Sequence, residues 1–271
     1  MIEIKRYKPT HPILRNLIDT MWINSGELPA LNHKLLPIKN IDLIINLSSQ
    51  PVLLYDSNSE ISLESCYFTG IMDHFKYSWE RPAGNIELIG VSFFPTGFYP
   101  FFGIPLSEFK NNIIDLHVLD RTLSEQLVER VKEHKTVFGK FHTLEHELLK
   151  LLNINLIIDE KMNALISDFT KQEESHIESF CNIRGINKRK FERFANKILG
   201  VNPKAYLRIN RFRKSLYALL HTEYNTLTEL AYNCGYYDQM HFIKEFKLFT
   251  GSSPTQFLAE KKALRQICFF S

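Results

Sequence analysis

At 271 residues the chain is long for one domain and sufficient for two, and it can bury a sizeable core. Hydrophobic residues at 44% and charged residues at 23% exclude a disordered chain, and no apolar run approaches the ~18–20 residues of a membrane span. The net charge of +3 hides a division: residues 1–160 carry 15 basic and 20 acidic side chains, residues 161–271 carry 18 and 10, so the back half is the part suited to a polyanion.

The N-terminal MIEIKRYKPTHPIL has no apolar h-region, so no secretory signal is expected. Residues 11–22 (HPILRNLIDTMW) place Ile13, Leu14, Leu17, Ile18 and Met21 on one side of a predicted short helix. From about 33 to 95 the texture changes. IDLIINL, PVLLY, SCYFTG and IELIGVSFF are short β-branched or aromatic runs separated by Ser, Asn, Gly and Pro, and they predict strands of a small barrel or sandwich. SFFPTGFYPFFGIP (92–105) reads as a packed loop closing that unit. Residues 122–134 and 140–152 predict two amphipathic helices, with Leu123, Leu127 and Val131 on one and Leu144, Leu148 and Leu151 or Leu152 on the other. LNINLIID (152–159) is the candidate boundary, beyond which nearly everything reads as helix.

The last hundred residues contain an internal repeat. Cys181 is followed four positions on by Gly185, within ESFCNIRGINKRKFERFANKILG, and Ala231 is followed four positions on by Gly235, within TELAYNCGYYDQMHFIKEFKLFTG. A small residue lets a second helix cross closely, and glycine takes a left-handed turn without steric cost, which is the geometry of a helix-turn-helix. Asn187 and Asp238 correspond as N-caps of the following helices. Phe191, Ala195 and Ile198 correspond to Phe242, Phe246 and Phe249 as core stripes. Each copy closes on Gly then Pro, Gly200 with Pro203 and Gly251 with Pro254, and Asn202 and Ser253 precede those prolines as caps.

Stepping 100° per residue from Phe242 puts Met240 and Lys244 opposite the core, and their counterparts in the first copy are Arg189 and Arg193. Lys188 and Gln239 stand at the two helix starts. In a helix-turn-helix these positions face base edges in the major groove, so Lys188, Arg189, Arg193, Gln239, Met240 and Lys244 are the candidate base readers. Lys190, Lys197, Lys204, His241 and Lys247 lie nearer the edges and suit phosphate. Between the copies PKAYLRINRFRKSLYALLH (203–221) predicts one long helix. Its core side is read as Tyr206, Ile209 or Asn210, Arg213, Leu216 and Leu220, and its basic outer side as Arg208, Arg211 and Lys214. About 18 residues span about 27 Å, which with the flanking units suits adjacent major-groove faces roughly 34 Å apart.

From about 160 to 262 the chain resembles an AraC-family DNA-binding domain. LTELAYNCGYYDQMHFIKEFKLFTGSSPTQF follows the family signature nearly position by position, with Met240 and Tyr237 where Ser is usual. The first unit departs further, with Cys181 in the small-residue slot and Ala195 where Phe is typical. LLPIKNIDLIINL, CYFTGIMDHF and IELIGVSFFPTGFYPFFG are similar to an uncharacterised β-rich domain found ahead of AraC-type domains and grouped with cupin-like sensors. The expected fold is therefore multi-domain α+β. Residues 1–120 form a β-rich, cupin-like sensor or dimerisation domain, 121–158 a helical connector, and 159–271 an all-α domain with helix-turn-helix units at about 175–200 and 226–250. The resemblance implies a cytoplasmic bacterial transcription regulator, not an enzyme, that needs no cofactor. The partners that the resemblance implies are double-stranded promoter DNA and, as candidates, RNA polymerase, a small-molecule effector and a second copy of the chain.

Two competing readings are a regulator without a ligand, whose front half dimerises or binds a protein, and a cupin-like metalloenzyme fused to a DNA-binding domain. For the metalloenzyme, no His-x-His pair is present. His142 and His146, flanked by Glu145 and Glu147, have helical spacing that can hold zinc, but a solvated polar face explains them. Asp73 with His74 suits an acid/base pair or simply a polar turn. Trp22, Tyr77 and Trp79 are the candidate effector-pocket aromatics, with ordinary core as the alternative. The leucine stripes at 123–131 and 144–152 suit a dimer seam or packing within the chain. The four cysteines (Cys66, Cys181, Cys234, Cys268) have no CxxC spacing and read as small buried hydrophobes in a reducing compartment.

Overall fold

A computed structural model of the protein describes residues 2–263 except 29–30, 38–39, 57–58, 64, 82–83 and 173–176; Cys268 lies outside them. The chain opens with β1 (Ile2–Tyr7), α1 (Pro12–Leu17) and β2 (Ile18–Leu28). The helix expected over 11–22 thus stops at Leu17. Beyond it Met21 and Ile23 face one core and Trp22 another, a strand alternation, and β2 gains a partner on each side.

The remaining strands are β3 (Leu31–Lys34), β4 (Ile41–Asn46), β5 (Val52–Tyr55), β6 (Glu60–Leu63), β7 (Cys66–Thr69), β8 (Ser78–Arg81), β9 (Gly84–Phe93) and β10 (Ile113–Asp115). They form two antiparallel sheets, ordered β1-β2-β9-β4-β7-β10 and β3-β8-β5-β6. Trp22, Ile44, Tyr67 and Leu88 of the first sheet meet Val52, Leu54 and Leu63 of the second in one apolar cluster. Gly90 pairs with Trp22 across the sheet, and the indole occupies the place a Cβ would take. The other face of the large sheet is covered by α4 (Arg121–Lys132) and α5 (Val137–Leu151), which follow two single-turn helices, α2 (Tyr99–Phe102) and α3 (Leu116–Leu119). With both faces covered, every residue of β4 is buried, which is why IDLIIN reads as an almost continuous apolar run.

Leu127, Val131, Leu144 and Leu148 pack on Leu43, Ile45, Ile89 and Val91, so the leucine stripes are used within the chain. Glu145, expected on a solvated face, turns inward. It accepts from the His11 amide at 2.7 Å, Tyr7 Oη at 2.8 Å and Thr10 Oγ1 at 3.1 Å, tying the N-terminal segment to α5. His142 packs edge-on against Phe138, and His146 is exposed. In the 92–105 stretch Phe93, Phe98 and Phe101 are buried, as a packed closing segment requires.

The second half is helical: α6 (Glu160–Thr170), α7 (Ile177–Ile183), α8 (Lys188–Leu199), α9 (Pro203–His221), α10 (Leu227–Asn233), α11 (Gln239–Thr250) and α12 (Pro254–Ala263). Phe169, Phe191, Phe212, Phe242, Phe246 and Phe249 dominate its core. The buried side of α9 is Tyr206, Ile209, Phe212, Ser215 and Leu219 rather than the expected run through Arg213, Leu216 and Leu220. The cause is that α9 is packed by α8, α10 and α11 at once, so no single stripe defines its inside. Cys66, Cys181 and Cys234 are buried thiols, and burial pushes the Cys66 and Cys181 thiol pKa values up.

Candidate nucleic-acid interface

Two units of equivalent geometry build the interface, α7–α8 and α10–α11. In the first, Gly185 has φ 63° and the Ile186 amide donates to the Cys181 carbonyl at 2.9 Å. In the second, Gly235 has φ 79° and the Tyr236 amide donates to the Ala231 carbonyl at 3.0 Å. Both turns therefore close as left-handed helix caps that only glycine enters without strain. Cys181 and Ala231, the small residues of the crossing, are buried to 1% and 0% exposure. Asn187 caps α8 by accepting from the Lys190 amide at 3.1 Å, and Asp238 caps α11 by accepting from the His241 amide at 2.7 Å. Asn202 and Ser253 cap α9 and α12 in the same way, each ahead of its proline.

These caps and core stripes fix which faces point outward. On α8, Lys188, Arg189, Lys190 and Arg193 are exposed. On α11, Met240 is 73% exposed, Lys244 and Lys247 are exposed, and Gln239 and His241 are half-buried. The Gln239 Oε1 accepts from Thr228 Oγ1 at 2.6 Å, which orients its amide group with the NH₂ end as a donor. A groove of about 1410 Å³ runs between the units and brings together Lys188, Lys204, His241, Lys244 and Lys247. Lys197 is not part of it: its ammonium lies 3.9 Å from the centroid of the Tyr99 ring, against the β-rich half.

The largest departure from the sequence reading concerns α9. Arg208 and Arg211 do not form a free basic face. Arg208 Nε donates to Glu245 at 2.7 Å, and Arg211 grips the same carboxylate through Nη2 at 3.0 and 3.1 Å and Nε at 3.2 Å. Glu245 lies on α11 with its side chain 3% exposed, and Arg211 also covers the Tyr236 ring at 4.7 Å. The second recognition helix is thus bolted to the spacer by a charge-assisted fork. A signal was present: Glu245 falls three residues after Phe242, on the core side, where an acid demands a basic partner.

In the β-rich half the candidate effector residues divide. Trp22 lines a cavity of about 30 Å³ between the sheets, together with Ile44, Leu54, Tyr67, Thr69 and Leu88. Tyr77 belongs to the same apolar cluster, and the Trp79 side chain lies outside the described residues. Asp42 on β4 faces this interior row, paired with Ser92 and Thr69 across the sheet. Burial raises its carboxyl to about 7, against a hydrogen bond from Ser92 and the field of Arg213, both of which lower it. Asp73 braces a turn. Although burial alone would raise it, hydrogen bonds from Lys110, His74 and Asn111 hold its carboxyl at about 2. Among the described residues no group of three or more His, Cys, Asp or Glu could hold a metal ion, and no helix is long and apolar enough to cross a membrane.

Residues 180–260 match the family model described as a helix-turn-helix domain, and residues 5–115 match a domain of unknown function (DUF6597). An uncharacterized HTH-type transcriptional regulator of Haemophilus influenzae is 21% identical over 136 residues, covering 49% of this chain and 45% of that protein. The chain thus matches less than half the length of this relative. Among solved structures, ToxT from Vibrio cholerae is similar at TM-score 0.45 and 14% identity, covering 88% of this chain and 98% of that one. The DNA-binding domain of AdpA in complex with a target DNA is similar at TM-score 0.36 and 21% identity, covering 40% and 97%. The AraC-like transcriptional activator CuxR gives TM-score 0.34 and 12% identity over 79% and 87%.

Proposed function

We propose, from the premise that the C-terminal part of the chain is an AraC-type helix-turn-helix domain, that the protein is a sequence-specific DNA-binding transcription regulator. The observation that carries this is the duplicated unit: two capped recognition helices, each with an exposed polar face, flank one basic groove. The two helices enter successive major grooves on one side of a duplex. Arg189 and Arg193 donate to guanine edges, and the oriented Gln239 amide and the Met240 side chain read the second groove by one donor and apolar contact. Lys190, Lys204, His241 and Lys247 neutralise phosphates, and Lys188 and Lys244 stand between the two roles. The front part, residues 1–120 together with the helices of 121–158 that pack on its large sheet, serves as the sensor. The chain works beside the chromosome in the cytoplasm, without catalysis, and recruits or excludes RNA polymerase.

The sensor reading rests on the cavity beside Trp22. A second reading, a front half that dimerises or docks a protein, is favoured by its size, since about 30 Å³ holds one or two waters. Thermal-shift screening of the full chain against metabolites separates the two: a shifted melting temperature supports the sensor, and a dimer that ignores every compound supports the second reading. The DNA reading is tested by footprinting on the gene's own promoter. Protection should weaken steeply with salt as counterions are released, and Arg193→Ala should cost roughly 1–3 kcal/mol at particular base pairs. An unprotected promoter at low salt, or an equal loss on all sequences, would sink the assignment.

A further inference from the structure

Strand β7 ends at Thr69, and the segment that follows, residues 70–77, belongs to both halves of the molecule. Met72 and Tyr77, 1% and 3% exposed, lie in the sandwich core with Trp22 and Ile44. Ile71, 3% exposed, lies in the helical core with Phe191, Leu199 and Val201. Phe75 reaches further: its amide donates to the Leu248 carbonyl at 2.8 Å, in the last turn of α11, where helix carbonyls have no partner of their own.

The contacts fall at equivalent points of the repeat. Gly200 and Gly251 end α8 and α11 with φ 76° and 74°. A Cβ on Gly200 would come within 2.8 Å of Ile71 and 2.9 Å of the Leu106 carbonyl, and one on Gly251 within 2.8 Å of the Phe75 ring. Each glycine therefore serves twice, as the left-handed cap and as the seat for the same loop. The loop is stiffened from behind by residues 110–112. Asp73 binds Lys110 at 2.7 Å and the Asn111 side chain at 2.9 Å, Asn111 returns its amide to the Ile71 carbonyl at 2.9 Å, and Lys76 donates to the Asn111 carbonyl at 3.0 Å.

We infer that residues 70–77 form a positioning wedge, through Ile71 and Phe75, that sets the angle between the two recognition helices and so the half-site spacing the chain accepts. This rests on the DNA-reading function proposed above. The lever is favourable. A 12-residue helix is about 18 Å long, so a tilt of about 10° at its C-terminal cap moves its reading end by about 3 Å, close to one base-pair rise of about 3.4 Å. The wedge adds a second tie between the units to the one that α9 provides.

The test uses the full chain and duplexes selected by the wild type from random double-stranded DNA, with the half-site separation then changed by one base pair. Wild type should lose about 10-fold or more in affinity on the altered duplexes. Phe75→Ala and Ile71→Ala should bind the selected duplex within a few-fold of wild type yet lose less than about 3-fold on the change, and Phe75→Leu should restore discrimination. Should the alanine variants not fold, Asp73→Asn, which loosens the brace while leaving both cores filled, gives the same reading. Folded variants that discriminate spacing as sharply as wild type overturn the inference, as does a wild type that binds its selected site but tolerates the extra base pair. A wild type that selects no sequence at all instead overturns the DNA-reading function.

Discussion

Asp42 in the sandwich and Glu245 in the second recognition helix are both carboxylates exposed by only a few per cent, and they are treated in opposite ways. Glu245 receives two guanidinium groups and has every lone-pair direction addressed. Asp42 has no hydrogen-bond partner at Oδ1, and its carboxyl is pushed up to about 7. The contrast extends beyond the pair. Among the described residues, the buried side-chain polar atoms without a partner belong to His11, Asn24, Asp42, Thr69 and Ser124, all in the first half. A completed polar network rigidifies the element that carries it, whereas an unpaired buried group costs stability and makes its surroundings responsive to whatever can pair with it. The helical half is finished as a frame, and the front half retains polar capacity in its interior.

The contrast can be broken most directly at Glu245. Glu245→Ala should destabilise the protein by about 3 kcal/mol, since it strands two arginines, with Glu245→Gln milder. Denaturant titration reads this, and an unchanged midpoint would mean the fork is decorative.

Asp42→Asn should act in the other direction, and only at high pH. The carboxyl titrates higher in the folded chain than in the unfolded one, so the folded chain holds the extra proton between about pH 4 and about pH 7, and stability is lost as pH rises through that window. The variant should therefore be more stable than wild type at pH 8, on the order of 2 kcal/mol, with the gap closing toward pH 4. Melting curves at the two pH values decide it; a gap that is the same at both would mean Asp42 does not titrate as described.

The smallest effects sharpen the comparison of the two reading units. Asn187→Ala and Asp238→Ala should each cost about 1 kcal/mol, because each removes one cap of equal geometry. Calorimetry that found one cap silent would show the two copies to be unequal in stability as well as in surface chemistry.

What was legible from sequence follows the same division. The helix-turn-helix units are local objects: glycine at a left-handed turn, a cap three residues before the amide it serves, and a stripe at i, i+4 and i+7. All of this lies within 25 residues. The sandwich was readable where a strand is buried on both faces, as in β4, and obscure where alternation was weak, as at Ile18–Trp22, which periodicity alone assigns to a helix. Glu245 and its arginines meet across 34 and 37 residues of chain, and the wedge at Ile71 and Phe75 meets its helices across more than a hundred. Neither has a short-range signature, so periodicity alone puts Arg208 and Arg211 of α9 on a solvent-facing side. Asp73 and His74 were visible as a polar turn, but what they brace was not.

The indole of Trp22, seated over Gly90 in the sandwich, has an optical consequence. Trp22 and Trp79 are the only tryptophans in the chain, and residues 80–271 contain none. Intrinsic fluorescence excited at the indole band therefore comes from the front half alone. Any change in emission wavelength or quenching on adding a duplex reports a disturbance that has reached the front half, without a label being attached.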